Sequence, residues 1–81
     1  FYLRFTAVDK PGVLAKISKI LGDHRISIKM ALQKGIEVEG GVPVVMTTHP
    51  ACKSRVQKAI EEIDRLDVIL KPTFVCMIEE L

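Results

Sequence analysis

The chain has 81 residues, 48% of them hydrophobic and 27% charged, with a formal net charge of +2. That length suits one domain and not two, and the apolar content excludes a disordered chain. Twelve Lys and Arg interleave with ten acids, without the basic block of a nucleic-acid binder, and no apolar stretch reaches the roughly 18–20 residues of a membrane span.

Phe1, Leu3, Phe5 and Ala7 alternate with Tyr2, Arg4, Thr6 and Val8. Period two predicts a strand with one face on a core. Phe1 is not Met and already belongs to this pattern, so the sequence reads as cut from a longer polypeptide. No signal-peptide pattern is present.

Asp9-Lys10-Pro11-Gly12 follows as a turn. Asp9 is placed to cap a helix, Pro11 fits a first helical turn, and Gly12 permits close backbone approach. Val13, Leu14, Ile17, Ile20 and Leu21 then recur at three- and four-residue spacing, which predicts an amphipathic helix closing at Gly22. The first N–H groups of such a helix have no partner within it. With the positive end of the helix dipole they can receive a carboxylate.

Asp23-His24-Arg25 reads as a solvated connection. Ile26, Ile28, Met30 and Leu32 alternate with Ser27, Lys29, Ala31 and Gln33, predicting a second strand with a polar outer face. Lys34 to Gly41 reads as a long hairpin loop, and Val42 to Thr48 as a third strand. Met30 and Met46 fall on strand patterns as core residues.

Thr48-His49-Pro50 is the expected start of a second helix, with Thr48 or His49 at the cap. Val56, Ala59, Ile60, Ile63 and Leu66 form its apolar stripe from about Cys52 to Arg65. Lys58 with Glu62, and Glu61 with Arg65, are spaced as charge pairs on its wet face. A short strand is expected at Val68 to Leu70, and a last strand from Thr73 to Glu79 with Cys76 in the core.

The two cysteines read as reduced thiols of a cytoplasmic protein, not as a disulfide framework. His49 and Cys52 have a zinc-like spacing but no second ligand pair, so no metal site is expected. No Gly-rich phosphate fingerprint and no catalytic set is present, so neither a cofactor site nor catalysis is expected in this chain.

The order β-α-β-β-α-β predicts a ferredoxin-like α+β sandwich: a four-stranded antiparallel sheet with two helices on one face. Fold alone decides no function.

The stretch Phe5 to Ala15, with Ile20-Leu21-Gly22 and Ile26-Ser27-Ile28, resembles the opening half of an ACT domain, whose D-x-P-G-V-L turn joins the first strand to the first helix. Gln33-Lys34-Gly35, Val42 to His49, Val56 to Asp64 and Lys71-Pro72 resemble the C-terminal ACT domain of bacterial homoserine dehydrogenases. The resemblance spans nearly the whole chain. It implies a single regulatory domain over residues 1–81, taken from the C-terminus of a larger enzyme that reduces aspartate semialdehyde with NAD(P). The amino-acid ligand, threonine in that family, binds where two copies meet.

Carried over by position, the ligand contacts are Asp9, Lys10, Pro11, Gly12, Val13 and Leu14 from one copy, with Ala7 beside them. Ser27 and Ile28 come from the other copy of a homodimer built on the first helix and the edge strand Ile26 to Leu32. Asp9 would receive the ligand ammonium and the backbone N–H groups its carboxylate. Some amino-acid-binding members carry His in place of Ala7 and Asn in place of Ser27. A ligand-free dimerisation module is therefore the alternative reading.

Overall fold

A computed structural model of the chain describes residues 1–33 and 40–78. Its elements are β1 (Tyr2–Ala7), α1 (Val13–Asp23), β2 (Ile28–Gln33), β3 (Val42–Thr48), α2 (Lys53–Asp64) and β4 (Phe74–Cys76). The sheet is antiparallel throughout, in the order β2-β3-β1-β4. This is the expected ferredoxin-like sandwich.

The core lies between the helices and the two central strands. Leu3, Phe5 and Ala7 of β1 and Val44 and Met46 of β3 meet Ile17 and Leu21 of α1 and Val56, Ala59 and Ile63 of α2. Complete burial of Phe5 and Leu3 contributes about 1.5–3 kcal/mol each before entropy is counted. The alternation of β1 and the stripes of both helices thus mark the core as the sequence predicts.

The second strand departs from expectation. Ile28 pairs with Thr48 but Met30 pairs with Thr47, so Lys29 is an extra residue in a β-bulge. An odd residue reverses which face each later side chain points to. Ile28 packs against the core, whereas Met30 and Leu32 turn to the sheet face away from the helices and are exposed. Met30 is therefore not a core residue. Ala31 and Gln33 face the helix side and are exposed as well.

Several local expectations are also corrected. α1 runs through Gly22 to Asp23, and the left-handed residue that ends it is Arg25, at φ 59°. α2 begins after Cys52, not at Thr48 or His49; Thr48 is a buried residue of β3. β4 spans three exposed residues, so Cys76 is exposed and outside the core. Val68 to Leu70 forms an isolated bridge beside the end of β1, with Ala7 opposite Ile69. Glu79 and most of the expected loop from Lys34 to Gly41 lie outside the described residues.

Glu62 is not paired with Lys58. Its carboxylate accepts a 2.7 Å hydrogen bond from Nε2 of His24, which ties the C-terminus of α1 to α2. His24 is therefore not a freely solvated residue. The Glu61–Arg65 pair is likewise absent among the described residues, where the other ion pair is Lys19–Asp23 at 3.0 Å. A second tie joins α2 to β4: the Asp64 carboxylate accepts the Thr73 N–H at 3.1 Å and the Thr73 hydroxyl at 2.5 Å.

Candidate functional site

The loop from Val8 to Gly12 leaves the end of β1 under tight backbone control. Val8 N–H donates to the Val68 carbonyl at 2.8 Å, and Leu70 N–H donates to the Thr6 carbonyl at 2.9 Å. Lys10 N–H turns back to the Val8 carbonyl at 3.0 Å. The chain then reaches Gly12 at φ 86°, a left-handed conformation that costs a non-glycine residue about 1–2 kcal/mol. A Cβ at Gly12 would meet nothing within 4 Å, so the backbone angle, not close approach, is what requires glycine there.

Gly12 is the N-cap of α1, and no side chain caps the helix. Asp9, the expected cap, is exposed and leaves the helix N–H groups alone. Lys16 N–H makes the first helical bond, to the Gly12 carbonyl at 3.0 Å. Val13 N–H reaches the Lys10 carbonyl only at 3.5 Å, and among the described residues the N–H groups of Gly12, Leu14 and Ala15 have no acceptor. A helix start left open in this way favours an anion by charge and by hydrogen bonding.

These groups border a cleft of about 350 Å³, lined by Ala7 through Leu14 with Gln33, Val42 and Val44. Its size falls near the lower end of small-ligand sites. Six of the expected contacts, Asp9, Lys10, Pro11, Gly12, Val13 and Leu14, meet there, with Ala7 at the floor. Ser27 and Ile28 do not line it. They stand at the far end of β2, about 16–20 Å along the strand from Gln33 at the usual rise per residue. Gln33, Val42 and Val44 are additional walls. Gln33 pairs with Val44 on the helix side only because the bulge at Lys29 shifts the phase of the strand.

Two other features lie apart from this cleft. A larger hollow of about 720 Å³ lies at the opposite end of the sheet, with mainly apolar walls and Lys29 and Lys53 at its rim. At the start of α2, the Cys52 sulfur lies 3.1 Å from the Ser54 hydroxyl. That contact, then the Ser54 and Arg55 N–H groups, draws the Cys52 thiol below its ordinary pKa. No cluster of three potential metal ligands occurs among the described residues, His49 and Cys52 included. No described helix is long and apolar enough to cross a membrane.

Comparison with known proteins places this geometry in context. A family model described as "ACT domain" matches residues 1–68. Homoserine dehydrogenase of Pseudomonas aeruginosa is 35% identical over 82 aligned residues, covering 100% of this chain and 19% of the relative. That of Methylobacillus glycogenes is 40% identical, covering 100% and 20%. The chain thus spans about a fifth of the length of the curated relatives it matches. A crystal structure of a homoserine dehydrogenase from Thiobacillus denitrificans superposes with a TM-score of 0.79 at 36% identity, over 90% of this chain and 16% of that one. The ACT domain of a GTP pyrophosphokinase from Chlorobium tepidum superposes with a TM-score of 0.68 at 10% identity, over 90% and 91% of the two chains; this likeness concerns the fold alone.

Proposed function

The chain belongs to the ACT domain family, and from that membership we propose that it is the amino-acid-sensing regulatory domain of a homoserine dehydrogenase. Threonine is the proposed ligand and feedback inhibition the proposed outcome. The catalytic reaction, its NAD(P) and the cytoplasmic setting belong to the larger enzyme, outside these 81 residues. The observation that carries the reading is the open start of α1 bordering a cleft next to an uncovered edge strand.

The site becomes complete in a dimer. Among the described residues, β2 is an edge strand with no strand on its outer side, and such edges favour pairing with another strand. A two-fold axis at Ala31 would pair β2 with its copy in antiparallel register, Ala31 against Ala31 and Met30 against Leu32. Lys29 of one copy then stands opposite Gln33 of the other, which brings the second copy's Ser27 and Ile28 toward the mouth of the cleft. The ligand carboxylate sits on the N–H groups of Gly12, Leu14 and Ala15, and the ammonium on Asp9. Val13, Val42 and Val44 face the ligand side chain.

A ligand-free dimerisation module is the second reading, favoured by Ala7 and Ser27, which bring little polarity to the site. Thermal unfolding with and without threonine separates the two. A ligand at 100 times its Kd stabilises by about 2.7 kcal/mol, which raises the Tm of a domain this size by roughly 10–20 °C. Asp9→Ala should erase that rise while leaving the ligand-free Tm within a few degrees. A Tm indifferent to all twenty amino acids would sink the sensing proposal and leave the module.

A further inference from the structure

Among the described residues, nothing covers the sheet face turned away from the helices, and it is almost uncharged. Strand register lays Leu32, Val45, Arg4 and Phe74 in one row across all four strands. Met30, Thr47, Tyr2 and Cys76 form the next row. Leu70 extends the face beside Thr6, to whose carbonyl its N–H is bonded. Met30, Leu32, Phe74 and Leu70 are 51%, 50%, 49% and 44% exposed. Arg4 is the sole charge in the two rows, and its guanidinium lies 5.1 Å over the Phe74 ring. Tyr2 meets the same ring edge-on, with centroids 6.2 Å apart.

The extent of this face indicates what covers it. Four strands about 4.8 Å apart and three rows about 6.7 Å apart give, with side-chain margins, roughly 400 Å². A patch of that size marks an interaction site on a monomer but is half of the ~800 Å² per partner in a standard interface. Pairing of two copies through β2 changes this. It sets both faces in one plane, with Met30 and Leu32 of each copy adjoining at the seam, and doubles the continuous surface to about 800 Å². Arg4, on the third strand from the seam, falls toward the rim, where interfaces tolerate charge.

We propose that this doubled open face is a docking surface for a second edge-paired dimer of the same chain, sheet against sheet, giving an assembly of four. The proposal rests on the β2-edge dimer described above. It predicts a strict order: the edge forms first, because a single face is too small to hold a partner.

Sedimentation equilibrium of the 9.0 kDa chain and two variants tests the order. The parent should show four-copy mass, falling to two-copy mass on dilution. Leu70→Glu with Phe74→Glu, far from the seam, should stop at two copies. Ala31→Glu, which sets carboxylates against each other across the edge, should give single chains. Circular dichroism matching the parent checks that each variant is folded. A parent that remains at two copies at every concentration, dissociated only by Ala31→Glu, overturns the face and spares the edge. A four-copy parent indifferent to Leu70→Glu with Phe74→Glu also overturns the face. A two-copy parent dissociated by that pair and not by Ala31→Glu overturns the edge, and the doubled face with it.

Discussion

Gly41 offers a sharp test of how β3 is seated beside the end of β1. A methyl group there would lie 2.7 Å from Cδ1 of Leu70, 2.8 Å from the carbonyl oxygen of Ala7 and 3.1 Å from Cγ2 of Thr6. Leu70 is half exposed and can turn away. The Ala7 oxygen is backbone and cannot. Ordinary contact begins near 3.4 Å, so Gly41→Ala must open the gap to β1 by about 0.6 Å. Overpacking of this kind costs about 1–3 kcal/mol. Taking 2 kcal/mol, the Tm of a domain this size falls by about 8–16 °C. The carbonyl, not the leucine, should dominate. Adding Leu70→Ala to Gly41→Ala should therefore recover less than half of the loss in a double-mutant cycle. Ala7 and Val42 both line the loop cleft, so the same variant should weaken any ligand response. A Gly41→Ala chain that melts within 2 °C of the parent, or one fully rescued by Leu70→Ala, would refute the account; both limits follow from the scale above.

Two further outcomes follow from side-chain contacts. Asp64→Ala removes both acceptors of Thr73 and should cost about 2 kcal/mol, with β4 losing hydrogen-exchange protection before the rest of the sheet; uniform loss of protection would contradict a local tie. In a Cys76→Ser background, alkylation of Cys52 should titrate with a midpoint below 9.0. Ser54→Ala should move that midpoint up, slowing alkylation near neutral pH while leaving the rate at high pH unchanged.

The fold was legible wherever one face of an element alone is buried. The alternation of Leu3, Phe5 and Ala7 and the spacing of Ile17, Ile20 and Leu21 report a core directly, because burial selects apolar side chains. The same logic fails at the open side of the sheet. Met30, Leu32, Phe74 and Cys76 carry the pattern of a buried face, and nothing local says that no helix covers them. The bulge at Lys29 has no residue signature either, since the alternation runs through it unbroken. Contacts between distant residues were equally silent: His24 and Glu62 are 38 positions apart, and each has a nearer plausible role. At the candidate site, the Pro-Gly turn announced the loop, but Gln33 and Val44 join it only through sheet register.

The backbone bonds that hold the end of β1 have a kinetic meaning. Val8 and Thr6 are each bonded to the segment after α2, and Ala7 between them is fully buried. The loop therefore springs from an anchored post on one side and from the first turn of α1 on the other. An occupant of the cleft meets a frame already set, and little chain entropy is lost on its arrival. Variants of the cleft wall should then alter how long the occupant stays far more than how often it arrives. In the proposed sensing role, the residence time would then set the concentration at which the cleft fills.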